Sequence, residues 1–317
     1  MRSIVTQTPK KIDVNLHKGI KVFAPATLGN VAGVEGVFGI ALENWGVEVV
    51  AKFKESAGVT ISSVKGFPSD IFSSDALSEI IRLADLVLGS VNRDNVGVEL
   101  QIRSNIPESK GLGVEVSVSV GVVMAINEIL GRPYEKRQLL SIALKGMANI
   151  PGGHVANRLA AGLLGGCMLF RGGADYDVVR VASPRGLYLL VIYIEDLSEL
   201  SEGSLPAEYN NGDIANISAF VLGMTNADFA LIKRTLSNVS SFKYFNRALH
   251  RQLFMGTEVS GALGCTIDGV GSLYYAFYDN SLAADKTAAY FDEMLTSRDL
   301  KSNILVSRIN NEGAVLV

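Results

Sequence analysis

Apolar residues recur along this chain with two different periods, and the switches between them outline its elements. Residues 20–26 (IKVFAPA) form a short apolar run that reads as a strand closed by Pro25. Residues 27–39 are glycine-rich and lead into a helix or turn. Residues 47–53 and 58–64 alternate as two strands, with Gly58 marking the turn between them. Residues 73–88 have helical spacing, with Leu77, Ile80, Ile81, Ala84 and Leu88 on one stripe and Ser73 or Ser74 available as a cap. A strand over 96–103, with Gly97 as a candidate bulge, feeds the stretch IPESKGLGVEVSVSVG at 106–121. An apolar helix leaves that stretch through Val122, Val123, Ala125, Ile126, Ile129 and Leu130 and stops at Gly131. A helix over 134–147, a helical segment inside 150–166 and a strand over 167–171 complete this half.

The second half orders its elements differently. Strands are predicted over 178–181 and 187–194, a polar loop over 195–212, and helices over 214–222, 227–237 and roughly 242–259. A glycine turn at 268–271 separates strands 265–267 and 273–278. A helix over 283–295 and strands over 304–309 and 314–316 follow. In the strand 273–278, Tyr274 and Tyr275 alternate, so one is expected inward and the other outward. The elements are mixed without strict strand–helix–strand alternation, which predicts an α+β fold in two layers rather than a doubly wound sheet. The division expected is a flexible tail at 1–19, an N-terminal domain at 20–172 and a C-terminal domain at 173–317.

The most informative chemistry lies at 106–121. Strand, glycine loop and helix N-terminus form a cradle for a phosphate, because unpaired backbone N–H groups and the helix dipole favour an anion there. Gly111 and Gly113 let the backbone come close to a ligand. The next residues, Val114, Glu115 and Val116, bring no hydroxyl and no cation to the first turn, so the loop looks degenerate.

Composition narrows the class. The 317 residues are 48% hydrophobic and 19% charged, as in a globular chain with room for two domains. A net charge of −3 offers no basic patch for nucleic acid. No apolar run reaches the roughly 20 residues of a membrane span, and the polar N-terminus has no signal-peptide pattern, so a cytoplasmic address is expected. Cys167 and Cys265 sit in apolar strand contexts, which predicts buried structural thiols rather than metal ligands. Three histidines, His17, His154 and His250, leave few candidates for a histidine-based site. No metal ligands are predicted.

Three stretches then agree with one another. VFAPATLGNVAGVEGVFGIAL, IPESKGLG with its apolar helix, and GALGCTIDGVGSLYYAF resemble the first, phosphate-binding and last motifs of the GHMP small-molecule kinases, homoserine kinases most closely. GHVANRLAAGLLGG and INNEGAVLV resemble the same group, so the likeness runs over 20–317. It implies a two-domain α+β fold, an N-terminal domain with the glycine loop and its helix and a C-terminal α/β sandwich. It also implies that ATP and an amino-acid alcohol meet between the domains, with magnesium on the phosphates.

In this frame Asn30 keeps the family's asparagine, while Gly36 stands at its aspartate with Glu35 alongside. Val114–Glu115–Val116 replace a serine run, although Ser117 and Ser119 follow. Met147 and Ala148 stand where a metal-serving glutamate is expected. Counted without gaps, the family's His-x-Asp-Asn falls on Val155, Ala156, Asn157 and Arg158; a one-residue slip restores His154 and Asn157 but leaves Ala156 at the aspartate, and Lys243 stands near an expected arginine.

These exchanges lead to the expectation that phosphoryl transfer is lost and the pocket repurposed for another small metabolite. Glu115, His154, Glu35 and Asn157 would then be catalytic. Asn30, Arg158, Asp268 and Lys243 would bind substrate, and Lys110, Gly111, Gly113 and Ser117 would be the inherited phosphate loop. Each has a plainer reading as a cap, turn or surface residue. On this expectation no cofactor is needed. The partners are a small molecule and, admissibly, a second copy in a homodimer, but no nucleic acid and no membrane. Two alternatives stay open: a divergent but genuine homoserine kinase using ATP and magnesium, and a non-catalytic binding protein.

Overall fold

The computed structural model describes residues 19–66, 74–93, 95–107, 111–147, 155–172, 177–195, 211–237, 248–267 and 272–317. A long hairpin opens the chain. Strands β1 (Ile20–Val31) and β2 (Val34–Lys54) run antiparallel, with Val22 opposite Val49 and Val31 opposite Val34. The stretch 27–39, expected as a glycine-rich turn, is therefore strand for most of its length. Two irregularities in the ladder, between Pro25 and Thr27 and between Leu28 and Asn30, accommodate the proline and the glycine. The reversal is confined to Ala32 and Gly33, both at positive φ (55° and 77°).

Strand β3 (Gly58–Lys65), helix α1 (Ser74–Ser90) and strand β4 (Gly97–Ser104) follow. Although β2 and β3 are neighbours in sequence, β4 inserts between them, antiparallel to β2 and parallel to β3. Gly97 permits the insertion, since a Cβ there would stand 1.9 Å from Ser56 O. Strands β5 (Cys167–Gly172), β6 (Asp177–Val181) and β11 (Val315–Leu316) complete a seven-stranded sheet. In it β11 flanks β1, β5 pairs with β2 at Phe38–Ile40, and β6 pairs with β5.

Helix α2 (Val114–Ile129) lies on this sheet, with α3 (Lys136–Gly146) and α4 (Ala156–Leu164) against it. Fourteen residues of α2 are buried, all but Glu115 and Glu128, which explains an apolar pattern with no polar face. It approaches β2 so closely that a Cβ at Gly121 would stand 2.6 Å from Val49 Cγ2.

A four-stranded sheet forms the rest, in the order β10 (Ser302–Ser307), β7 (Tyr188–Ile194), β9 (Leu273–Tyr278), β8 (Gly264–Ile267). Leu189, Val191, Tyr275 and Phe277 on one face join the core shared with the first sheet, together with Phe220 and Met224 of α5 (Asn211–Asn226) and Ile232 of α6 (Phe229–Leu236). Leu190, Ile192, Tyr274 and Ala276 on the other face pack with Leu253 of α7 (Ala248–Val259) and Phe291 of α8 (Ser281–Thr296). The two-layer expectation is thus corrected for this sheet, which is covered on both sides. Tyr274 and Tyr275 are both buried for that reason. Both cysteines are buried and unpaired as disulfides. Among the described residues no helix is long and apolar enough to cross a membrane.

Candidate functional site

Four segments converge on the end of β1. The strand carries Thr27, Leu28, Gly29 and Asn30, and the glycine loop Gly111–Leu112–Gly113 lies alongside it. The Thr27 N–H donates to Leu112 O at 3.0 Å, which ties loop to strand. Gly113 adopts the left-handed conformation (φ 68°, ψ 42°) and starts α2 without a side-chain cap. A Cβ at this position would be strained by that φ and would stand 2.5 Å from Thr27 Oγ1. Ser117 N–H donates to Gly113 O at 2.8 Å, so the amides of Val114, Glu115 and Val116 belong to the open first turn.

The valines that break the expected serine run do not fill this cradle. Val114 and Val116 point into the core, 4% and 2% exposed, while Glu115 between them is on the surface. Met147 and Phe38 are core residues, and Phe38 packs edge-on against Phe220 with ring centroids 5.5 Å apart. The anion-binding groups of a helix N-terminus are backbone amides, and inward-facing side chains leave them in place. Ser117 is buried, and its hydroxyl donates to Pro25 O (2.9 Å) and Gly113 O (3.0 Å), bracing the helix against β1.

Two asparagines sit beside the cradle, and both direct their amide N–H groups to backbone. Asn30 Nδ2 donates to Ile267 O at 3.1 Å, linking β1 to β8 of the other sheet. Asn157, in the first turn of α4, donates from Nδ2 to Gly29 O (3.2 Å) and Phe38 O (2.6 Å). In both, the remaining Oδ1 is buried and has no hydrogen-bond partner among the described residues, and Thr27 Oγ1 is in the same state. Unpartnered buried polar atoms are costly and uncommon, and three on β1 and the adjoining helix α4 make this a candidate site for a polar ligand. Arg158 follows Asn157, and its Nη1 donates to Thr27 O (3.0 Å) and to Gly111 O.

Of the residues singled out in the sequence, the structure gathers Asn30, Gly111, Gly113, Ser117, Asn157 and Arg158 around the end of β1, with Glu115 at the rim. Glu35 lies on β2 directly across from Asn30. Lys110, His154, Lys243 and Asp268 lie outside the described residues. Thr27 and Gly29 escaped the sequence reading. The available signal was a threonine and a glycine interrupting a mostly apolar run.

Comparison with known proteins gives the site its context. Residues 78–166 match the family model described as the GHMP kinases N terminal domain. A homoserine kinase of Chlorobium phaeobacteroides is 28% identical over 318 residues, covering 94% of this chain and 99% of that protein. The crystal structure of homoserine kinase from Cytophaga hutchinsonii superposes with a TM-score of 0.83 at 26% identity, covering 99% of this chain and all of that one. A mevalonate kinase from L. major, crystallised with R-mevalonate, has the same fold with a TM-score of 0.68 at 15% identity. The two-domain α+β fold is that of the GHMP kinases. End-to-end similarity to homoserine kinases overturns the expectation that phosphoryl transfer was exchanged for another chemistry.

Proposed function

We propose that this chain, built on the GHMP-kinase fold with homoserine kinases among its relatives, is an ATP-dependent kinase of homoserine or a closely similar amino-acid alcohol. The observation that carries the reading is the set of buried, unpartnered oxygens, Thr27 Oγ1, Asn30 Oδ1 and Asn157 Oδ1, beside an open helix N-terminus. The two amide oxygens are acceptors and suit a donor-rich group such as an ammonium. The glycine loop and the first amides of α2 suit the phosphates. Both halves of the reaction thus have complementary groups on adjoining elements.

In the reaction the substrate alcohol oxygen bonds to the γ-phosphorus. The bond from that phosphorus to the bridging oxygen of ADP breaks, and the alcohol proton passes to solvent. Such transfers depend mostly on positioning and on stabilising charge. On this reading the amides of the glycine loop and α2 hold the phosphates, and Asn30 and Asn157 orient the acceptor.

Magnesium, which the fold family implies, would neutralise phosphate charge. Among the described residues no three acidic, histidine or cysteine side chains converge on a metal site. Magnesium in such sites takes one or two carboxylates and fills its shell with phosphate oxygens and water. Glu115, exposed on the first turn of α2, would be the contributing carboxylate.

A coupled assay of ADP release tests the proposal. With magnesium, ATP and homoserine together, release is expected to depend on all three. No turnover at millimolar homoserine and ATP would sink the reading.

A further inference from the structure

We infer that Arg158 is the positioning residue of the glycine loop: its guanidinium clamps the loop to β1 so that the loop amides face the nucleotide phosphates. The inference rests on the kinase reading above and adds to it a residue whose part is to shape the loop.

The argument starts from peptide geometry. In a trans peptide the C=O and the following N–H point in opposite directions. Arg158 Nη1 holds Gly111 O, so the Leu112 N–H is turned away from the guanidinium. Thr27 N–H holds Leu112 O, so the Gly113 N–H is turned away from β1. Consecutive amides set in this manner form a concave anion-binding nest that continues into the first turn of α2. Arg158 also holds Thr27 O at 3.0 Å, so one guanidinium nitrogen bridges strand and loop. A planar fork suits such bridging better than the compact ammonium of lysine.

The surroundings are fitted to this side chain. A Cβ on Gly29 would stand 2.2 Å from Arg158 Nε and 2.7 Å from Cζ, so the strand gives up a side chain to seat the guanidinium. Arg158 projects from the first turn of α4, and the neighbouring Asn157 fixes that turn to Gly29 O and Phe38 O. The cation lies behind the loop, where it also favours an anion bound in front.

The test uses Arg158→Met, Arg158→Lys and Gly29→Ala in the full chain, with circular dichroism confirming the fold. Both arginine variants are expected to raise KM for ATP about tenfold or more while KM for homoserine stays within about twofold. Gly29→Ala is expected to copy them, and to add little in the Arg158→Met background because the two share one mechanism. Hydrogen exchange of the Thr27 amide is expected to accelerate in each variant.

An unchanged KM for ATP in both arginine variants, or full retention of the wild-type KM by lysine, overturns the inference. Failure of the kinase reading is distinguishable. Wild-type protein would then show no turnover, and the clamp stands if Thr27 exchange accelerates in Arg158→Met and falls if it does not.

Discussion

At the scale of single residues, the candidate site is distinguished by buried atoms left unpaired among the described residues. Thr27 Oγ1 is buried and has no partner among the described residues, although its backbone N–H and C=O are both engaged. Replacement by the isosteric valine removes an unsatisfied polar atom. Thr27→Val is therefore expected to raise the stability of the ligand-free protein by about 1 kcal/mol in urea unfolding. The same change is expected to lower kcat/KM about tenfold in the ADP-release assay. A variant both less stable and fully active would contradict this assignment. Asn30 and Asn157 follow similar logic but are less free to change, because their Nδ2 groups also satisfy backbone carbonyls. Their presence was legible in the sequence. The division of each amide between a structural donor and an open acceptor was not, because it depends on carbonyls up to 237 residues away.

At the scale of elements, the glycine loop and α2 form one unit whose shape is set by backbone. Gly113→Ala combines an unfavourable left-handed φ with a Cβ 2.5 Å from Thr27 Oγ1. It is expected to cost about 1–2 kcal/mol of stability in urea unfolding and to raise KM for ATP. Unchanged values of both would mean that the turn adapts freely. The positions of the helices were legible because periodicity and local stops define them: α1, α2 and α8 lie within a few residues of their predicted spans. The first hairpin was less legible. A proline and several glycines suggested a turn at 27–39, whereas ladder irregularities absorb them and the strand continues. The insertion of β4 between β2 and β3 was hidden because strand partners are chosen by long-range packing. The valines of α2 misled in the other direction, since a motif comparison cannot tell a side chain that faces the core from one that faces the ligand.

At the scale of the whole molecule, one apolar core runs from the seven-stranded sheet to one face of the four-stranded sheet. Asn30 reaches across the same seam to Ile267. Of the two buried thiols, Cys167 lies in this core and Cys265 in the second one, between the four-stranded sheet and helices α7 and α8. Burial pushes Cys167 up to about 12 and Cys265 up to about 11 from an ordinary value near 9. The thiolate is the reactive form, so neither is expected to label in native protein at pH 8, and labelling in urea should follow global unfolding by circular dichroism. The pH dependence has a definite sign. Below the unfolded value of about 9 both states keep the thiol proton, so stability is unaffected. Above it the unfolded chain releases the proton and the folded chain retains it, so stability falls as pH rises from about 9 towards 11–12. Rapid labelling of Cys167 in native buffer would show local opening of the shared core, and rapid labelling of Cys265 would show opening of the second core under α7 and α8.

The pairing of β11 with β1 has a consequence for how the protein is made. Val22 and Phe23 find their outer partners only at Leu316 and Val315. Synthesis must therefore proceed for on the order of three hundred residues before that ladder can close, and contacts so distant in sequence form slowly. Throughout that interval the outer edge of β1 is a bare strand edge, open to pairing with any other extended chain. The same strand carries Thr27 and Asn30 at its far end. The nascent chain thus holds its candidate site on a strand that still needs guarding until the last ladder is in place.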